Sequence, residues 1–441
     1  MSNESVLDLI PGKPCDIYYP DPCSSHKSAF NTTVDTRFVQ AMANLGAGSN
    51  TFTLPPASGY QDVVLQLQMP PLDGGNPYVG LALNAGWGYA LIRQVSYRIG
   101  GSSQYFLTGQ QVLQACLKNA ADSQSKNDLL TLGGSAAAGA AAFSALGANN
   151  FAYVWLPLPW TKPTSVGKPS PLPSDLLTQQ VQITVEFLPL SNIFSVAGAG
   201  GTLSSTPPSA LSSAQFQVQQ LSLDNKGDEL AQRVNMTQNS LSYPCEFIQQ
   251  EVTVDLGSGA AGSYNPTLTG FRSGQVRSID VWLSQGADLP RAYPGNAVVN
   301  LVNPFYWFAP REITATYAGQ VYSRFDKGSS QLWNLVNSRF QPQVTYGVVL
   351  TGTGATNAFT VSAAANAQWV SLPFAQKMEN MTSHNFAVNG KNITNGIVNL
   401  QITTPAATSS NGGAGGNWIL HVSYVYNAVA VFGMGTADLA F

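Results

Sequence analysis

Five separated stretches of the chain alternate apolar and polar residues with a period of two: Val63 to Met69, Val181 to Phe187, Ser278 to Leu283, Val398 to Ile402 and Trp418 to Val425. Successive side chains of a strand point to opposite faces, so each stretch can bury one face and offer the other to solvent or a neighbour. Between them lie clusters of Gly, Pro and Ser at 162–174, 197–209 and 409–416, which close strands rather than extend helices. The alternating stretches occur in both halves of the 441 residues. One core rarely serves more than about 250–300 residues. The pattern therefore predicts an all-β chain of two sandwiches or barrels with long loops.

Two segments break the alternation. Gly109 to Asn119 places Val112, Leu113, Cys116 and Leu117, and Gly328 to Ser338 places Leu332, Trp333, Leu335 and Val336, at helical spacing. Each follows a strand, a Gly-containing turn and a second strand bearing Phe106 or Phe325. Phe325 follows Phe106 by 219 residues, and the same offset pairs Gly100 with Gly319, Gly109 with Gly328 and Leu113 with Leu332 without a gap. A repeat at about half the chain length predicts two copies of one domain. The junction is placed in the polar stretch from Gln219 to Tyr243, which carries Asp224, Lys226, Asp228, Glu229 and Arg233. The expected division is an N-terminal arm over residues 1–35, a first domain over 36–242 and a second over 243–441.

Charge narrows the functional classes. Only 10% of residues are Asp, Glu, Lys or Arg, against roughly 25% in ordinary soluble domains, which suits a chain that packs against copies of itself. The 20 basic and 23 acidic residues are dispersed, with no basic run to track phosphates, so direct nucleic-acid binding is not expected. Met1 to Ile10 carries Glu4 and Asp8 and has no apolar run of signal length, and no segment has the ~18 apolar residues of a membrane span. A chain made in a cytosol is expected, and four cysteines (Cys15, Cys23, Cys116, Cys245) form no disulfide framework. The Asn-X-Ser/Thr sites at Asn3, Asn31, Asn235, Asn380 and Asn392 are read as chance in so Ser- and Thr-rich a chain.

Catalytic constellations are missing. The histidines are His26, His384 and His421, and His421 lies in an alternating run where a satisfied strand histidine is expected. No nucleophile elbow, phosphate-binding glycine loop or paired-histidine zinc motif is present. Cys15, Cys23 and His26 offer three ligands where a closed zinc site takes four, so the arm is read as unmetallated. No catalytic, cofactor-binding or metal residues are assigned, and no cofactor is expected. The Ala- and Gly-rich run from Ala136 to Ala148 lacks the basic face and aromatic anchors of an interfacial helix and is read as a surface or subunit-contact loop.

The C-terminus carries the most specific pattern. Tyr424-Val425-Tyr426-Asn427 runs through a hydrophobic strand into Gly433-Met434-Gly435 and ends Leu439-Ala440-Phe441. This resembles the ending of major capsid proteins of nucleocytoplasmic large DNA viruses and related double-stranded DNA viruses. Val95 to Gly101 resembles the family's strand ending in Ile-Gly-Gly, and Tyr153 to Trp160, Leu172-Pro173 and Val181 to Phe187 resemble the passage that closes its first jelly roll. The N-terminal pattern is barely matched, by Asp16-Ile17-Tyr18, which marks a divergent member.

The resemblance implies a double jelly roll, two consecutive eight-stranded sandwiches with short helices and long loops. It implies a structural protein of the virion, not an enzyme, assembled in the host cytoplasm as homotrimeric pseudo-hexagonal capsomers of an icosahedral shell. Its partners would be neighbouring capsomers, minor capsid and penton proteins and, through the N-terminal arm, an internal membrane. The alternative from another class is a carbohydrate-binding surface or fibre protein on a jelly-roll scaffold.

Overall fold

A computed structural model of the chain describes residues 32–71, 81–83, 86–100, 105–119, 128–129, 131–135, 137–138, 150–160, 172, 174–196, 208–223, 241–266, 268–285, 307–308, 310–326, 347–351, 358–362, 369–374, 391–393, 398–405, 417–433 and 436–440. The first eleven strands are β1 (Thr32–Ala41), β2 (Gly48–Thr53), β3 (Gly59–Gln68), β4 (Leu81–Leu83), β5 (Ile92–Ile99), β6 (Tyr105–Leu107), β7 (Ala137–Ala138), β8 (Phe151–Trp155), β9 (Val181–Phe187), β10 (Phe194–Val196) and β11 (Ser213–Leu223). Thirteen more follow: β12 (Leu241–Ile248), β13 (Val252–Asp255), β14 (Gly262–Tyr264), β15 (Gly274–Gln285), β16 (Glu312–Tyr317), β17 (Gln320–Asp326), β18 (Gly347–Thr351), β19 (Ala358–Ser362), β20 (Val370–Pro373), β21 (Lys391–Ile393), β22 (Asn399–Thr404), β23 (Trp418–Gly433) and β24 (Thr436–Ala440). Two α-helices, α1 (Trp87–Leu91) and α2 (Gly109–Asn119), lie among the described residues.

In the first half, β1-β11-β3-β8 form one antiparallel sheet and β2-β9-β5-β6 another. Alternation explains how they close: Leu65, Leu67, Val154 and Phe216 turn inward and are fully buried, while Gln66 and Gln68 turn outward. The Phe52 ring of β2 stacks on the Phe216 ring of β11 with centroids 4.5 Å apart, joining the two sheets. Offset stacking adds about 0.5–1.5 kcal/mol to the area the rings bury.

The second half repeats the order. Sheet β14-β22-β16-β17 corresponds to β2-β9-β5-β6, and β12-β23-β15-β20 corresponds to β1-β11-β3-β8. Every strand pairing among the described residues stays within 32–223 or within 241–440. The fold is the all-β double jelly roll that the sequence predicts. Both halves exceed eight strands: the first adds the three-stranded sheet β10-β4-β7, and the larger sheet of the second has seven. The 16-residue β23 pairs with both β12 and β13 on one edge and with β24 folding back at its end, and β15 takes both β20 and β21.

Two of the expected limits fall within strands. β1 begins at Thr32, paired with Leu223, so the limit at 35/36 falls inside a strand, as does the limit at 242/243 inside β12. The 219-residue offset holds for the turn glycines: Gly100 and Gly319 both have positive φ (52° and 78°), which side-chain-bearing residues rarely adopt. It holds less well for register. Phe106 pairs with Ser96, ten residues back, and Phe325 with Ile313, twelve back, with a bulge beside Ala315. Helix α2 has the expected limits, whereas 328–338, the N-terminal 1–31 with Cys15, Cys23 and His26, and His384 lie outside the described residues. Most of the Ala136 to Ala148 run also lies outside them, and Ala137–Ala138 pairs with β4 as a strand. No helix among the described residues is long and apolar enough to cross a membrane.

Candidate functional site

The two sandwiches meet through α2, and the local sequence explains how that helix is aimed. Thr108 and Gln111 form a capping box: the Gln111 N–H donates to Thr108 Oγ1 at 3.3 Å and the Thr108 N–H donates to Gln111 Oε1 at 3.2 Å. Gly109 follows because a Cβ there would lie 2.2 Å from the Tyr89 carbonyl oxygen and 2.5 Å from that of Ile92. The apolar stripe of Val112, Leu113, Cys116 and Leu117 packs into the first core, all nearly inaccessible to solvent.

With its oxygen committed to the cap, the Gln111 amide has only its N–H groups left for the second sandwich. Nε2 donates to the Gln249 carbonyl and to Ser423 Oγ, each at 2.9 Å. Its neighbour does the converse. Gln110 Oε1 accepts from the indole N–H of Trp282 and that of Trp307, both at 3.2 Å. Beside the helix, Tyr105 OH accepts the Ile248 N–H at 3.2 Å and its ring meets Phe247 edge-on at 4.9 Å. Burial pushes the Tyr105 phenol well above its ordinary range, so it stays protonated.

These contacts cover the outward face of β12-β23-β15-β20. His421, Ser423, Asp280, Trp282 and Ser284 share that face and are all buried. A polar face at an interior seam needs partners, since an unpaired buried polar group costs about 1–3 kcal/mol. Ser423 Oγ donates to the Gln249 carbonyl at 2.7 Å, and Ser371 Oγ donates to Asp280 Oδ1.

His421 is brought beside two residues that sequence reading did not connect with it. Its Nε2 lies 2.7 Å from Ser284 Oγ and its Nδ1 lies 3.6 Å from Glu251 Oε2. Spacing alone gives no sign of this grouping, because the three residues sit on β15, beside β13 and on β23. The order Ser, His, Glu is that of a nucleophilic triad, but Trp282 stacks flat on the imidazole at 5.2 Å and Ser284 is 2% exposed. A carbonyl substrate cannot approach a hydroxyl enclosed in this way. The arrangement instead holds the ring in place within the seam. Among the described residues no group of three His, Cys, Asp or Glu side chains is placed to hold a metal ion.

Two matched sandwiches, each with a four-position sheet of the same strand order and joined by a helix after the sixth strand, define the double jelly-roll fold found in viral major capsid proteins. The chain is similar to the VP54 protein of PBCV-1, as fitted into a reconstruction of the virophage Sputnik, with 13% identity, 94% of this chain and 98% of that one covered, and a TM-score of 0.60. It is similar to a chain of the Sputnik virophage structure, with 12% identity over 93% of this chain and 88% of the other and a TM-score of 0.56. The mavirus major capsid protein gives 12% identity over 95% and 93% of the two chains and a TM-score of 0.51. No protein-family model matches the chain, and no curated protein matches it by sequence.

Proposed function

We propose that this chain is the major capsid protein of an icosahedral double-stranded DNA virus, a building block of the shell and not an enzyme. The observation that carries the reading is the likeness of fold through both sandwiches, over 94% of the chain, to a PBCV-1 capsid protein. The seam supports it. A chain that rigidly joins two equivalent sandwiches presents two similar units per copy, and three copies then supply six similar units to one closed ring.

On this reading the protein forms homotrimeric pseudo-hexagonal capsomers that abut neighbouring capsomers, minor capsid and penton proteins. The two jelly-roll domains follow the expected division, with β1 belonging wholly to the first and β12 wholly to the second, and the N-terminal arm reaches a neighbour or an internal membrane. The chain does not bind the genome directly, and assembly takes place in the host cytoplasm before the protein resides in the virion. The low charge fits, because large self-complementary faces are buried at less desolvation cost when few ions are stripped of water.

Native mass spectrometry tests the proposal. The expected species is three times the 46.7 kDa chain mass, with hexagonal outlines in negative stain. A stable monomer at micromolar concentration would overturn it.

A further inference from the structure

Two buried polar atoms in the seam face each other without a hydrogen bond. His421 Nδ1 and Glu251 Oε2 lie 3.6 Å apart, on side chains that are 3% and 11% exposed, and neither atom has a hydrogen-bond partner among the described residues. The other ring nitrogen, Nε2, is 2.7 Å from Ser284 Oγ, and the Trp282 indole lies parallel to the imidazole with centroids 5.2 Å apart. A carboxylate so far out of water is costly unless a positive charge accompanies it.

The elements packed around the ring offer few other charges among the described residues. Asp255 of β13 is exposed and accepts the Gly257 N–H, Asp280 of β15 accepts from Ser371 Oγ, and Arg277 of β15 pairs with Glu246 of β12 at 3.8 Å. Helix α2 brings only the uncharged Gln110 and Gln111 to this face. Glu251 is therefore the carboxylate that meets His421, and the imidazolium is the cation placed to meet Glu251.

Both neighbours of the ring also hold α2. Trp282 donates its indole N–H to Gln110 Oε1, and Glu251 follows by two residues Gln249, whose carbonyl accepts from Gln111 Nε2. A positive charge on His421 attracts the Glu251 carboxylate on one side and the π face of Trp282 on the other. Drawing density from the indole also makes its N–H a better donor towards Gln110.

We propose that His421 is an acid-operated clamp on the joint between the two sandwiches: on taking a second proton it pairs with Glu251, lies as a cation against Trp282 and tightens the hold of the second sandwich on α2. The ligand is the proton itself, and the clamp lies within one chain, so it does not depend on the trimer. The imidazolium contributes fully below the unfolded histidine value of about 6.5, and its contribution is lost as pH rises. The carboxylate contributes above the unfolded glutamate value of about 4.3, and its contribution is lost as pH falls. The clamp is closed between about pH 4.3 and 6.5 and slack in mild alkali.

Urea unfolding of the full chain at pH 5.5 and pH 8 tests the clamp, using the parent, His421→Gln, Glu251→Gln and the double variant. The advantage of the parent over His421→Gln, as a folded-to-unfolded ratio, should be about tenfold larger at pH 5.5 than at pH 8. That extra advantage should vanish in the Glu251→Gln background. An advantage independent of pH would overturn the clamp, because a neutral imidazole donating from Nδ1 would then suffice. One that persists without the Glu251 carboxylate would overturn it as well. Amide hydrogen exchange over Gly109–Asn119, corrected for the intrinsic effect of pH, gives a second readout that does not require His421→Gln to fold. Protection of α2 should rise on acidification in the parent and not in Glu251→Gln; equal protection at the two pH values would overturn the proposal.

Discussion

Gln111 and Ser423 are 312 residues apart in sequence, yet the amide Nε2 of the first donates to the hydroxyl of the second at 2.9 Å in a buried seam. The same amide donates to the Gln249 carbonyl, to which Ser423 also donates, so three groups from two sandwiches share one small network. Such networks stabilise when every member is satisfied and become costly when one is removed. The seam is therefore a place where single substitutions should uncouple the sandwiches.

Gln111→Ala removes the capping-box partner of Thr108 and both bonds across the seam. Loss of about 1–3 kcal/mol of unfolding free energy is expected from the stranded partners, read by urea denaturation. A double-mutant cycle with Ser423→Ala should show a coupling of about 0.5 kcal/mol or more. Strict additivity would mean that the bond does not link the halves.

Gly109→Ala should destabilise through crowding rather than through conformation. Its Cβ would meet two backbone carbonyls, of Tyr89 and Ile92, that cannot move independently of α1. A penalty of about 1–3 kcal/mol is expected, seen as a lower melting temperature. Gly257→Ala is the contrasting case: nothing lies within 4 Å of the added methyl, but φ is +72°. There the cost should be the left-handed strain alone, about 1–2 kcal/mol.

Cys116 and Cys245 are buried in different sandwiches, and burial pushes each thiol up to about 12. A thiol in that range yields almost no thiolate at pH 8, and the thiolate is the reactive form. In a Cys15→Ser, Cys23→Ser background neither should react with iodoacetamide until denaturant unfolds the chain. Labelling of one at lower denaturant than the other would identify the sandwich that opens first.

Asp62 lies on β3 of the first sandwich, partly exposed. Burial raises its carboxyl above the ordinary value, opposed in part by a hydrogen bond from the Trp155 side chain. A carboxyl raised by folding favours the native state while protonated; that contribution is full below the unfolded value of about 3.9 and is lost as pH rises through the folded value. Asp62→Asn, which keeps the neutral form at all pH, should melt above the parent at pH 7. The gap should close below about pH 4, and a gap independent of pH would assign the effect to packing.

The strands of this protein are legible in its sequence because alternation is a local property. Val181 to Phe187 is strand β9 residue for residue, and Gly109 to Asn119 is α2 with the limits its apolar spacing predicts. The capping box of Thr108 and Gln111 was not read from the sequence, and its Thr-x-x-Gln spacing does not say that the spare amide protons of Gln111 will face another domain. Helix α1 escaped because five residues are too few to display a helical period, and its burial on every side leaves no polar face to reveal one.

What periodicity could not decide is the fate of the polar face. In β23 the alternation places His421 and Ser423 opposite the core, as it places Gln66 and Gln68 in β3, and nothing local distinguishes the two cases. The tertiary structure buries Ser423 against Gln111 of α2 and His421 among Ser284, Glu251 and Trp282, and leaves Gln66 and Gln68 partly open, because the helix that joins the sandwiches packs on the second one. Sequence determined which side of each strand is polar; only the packing of the two sandwiches determined which polar side is buried between them and which stays partly open.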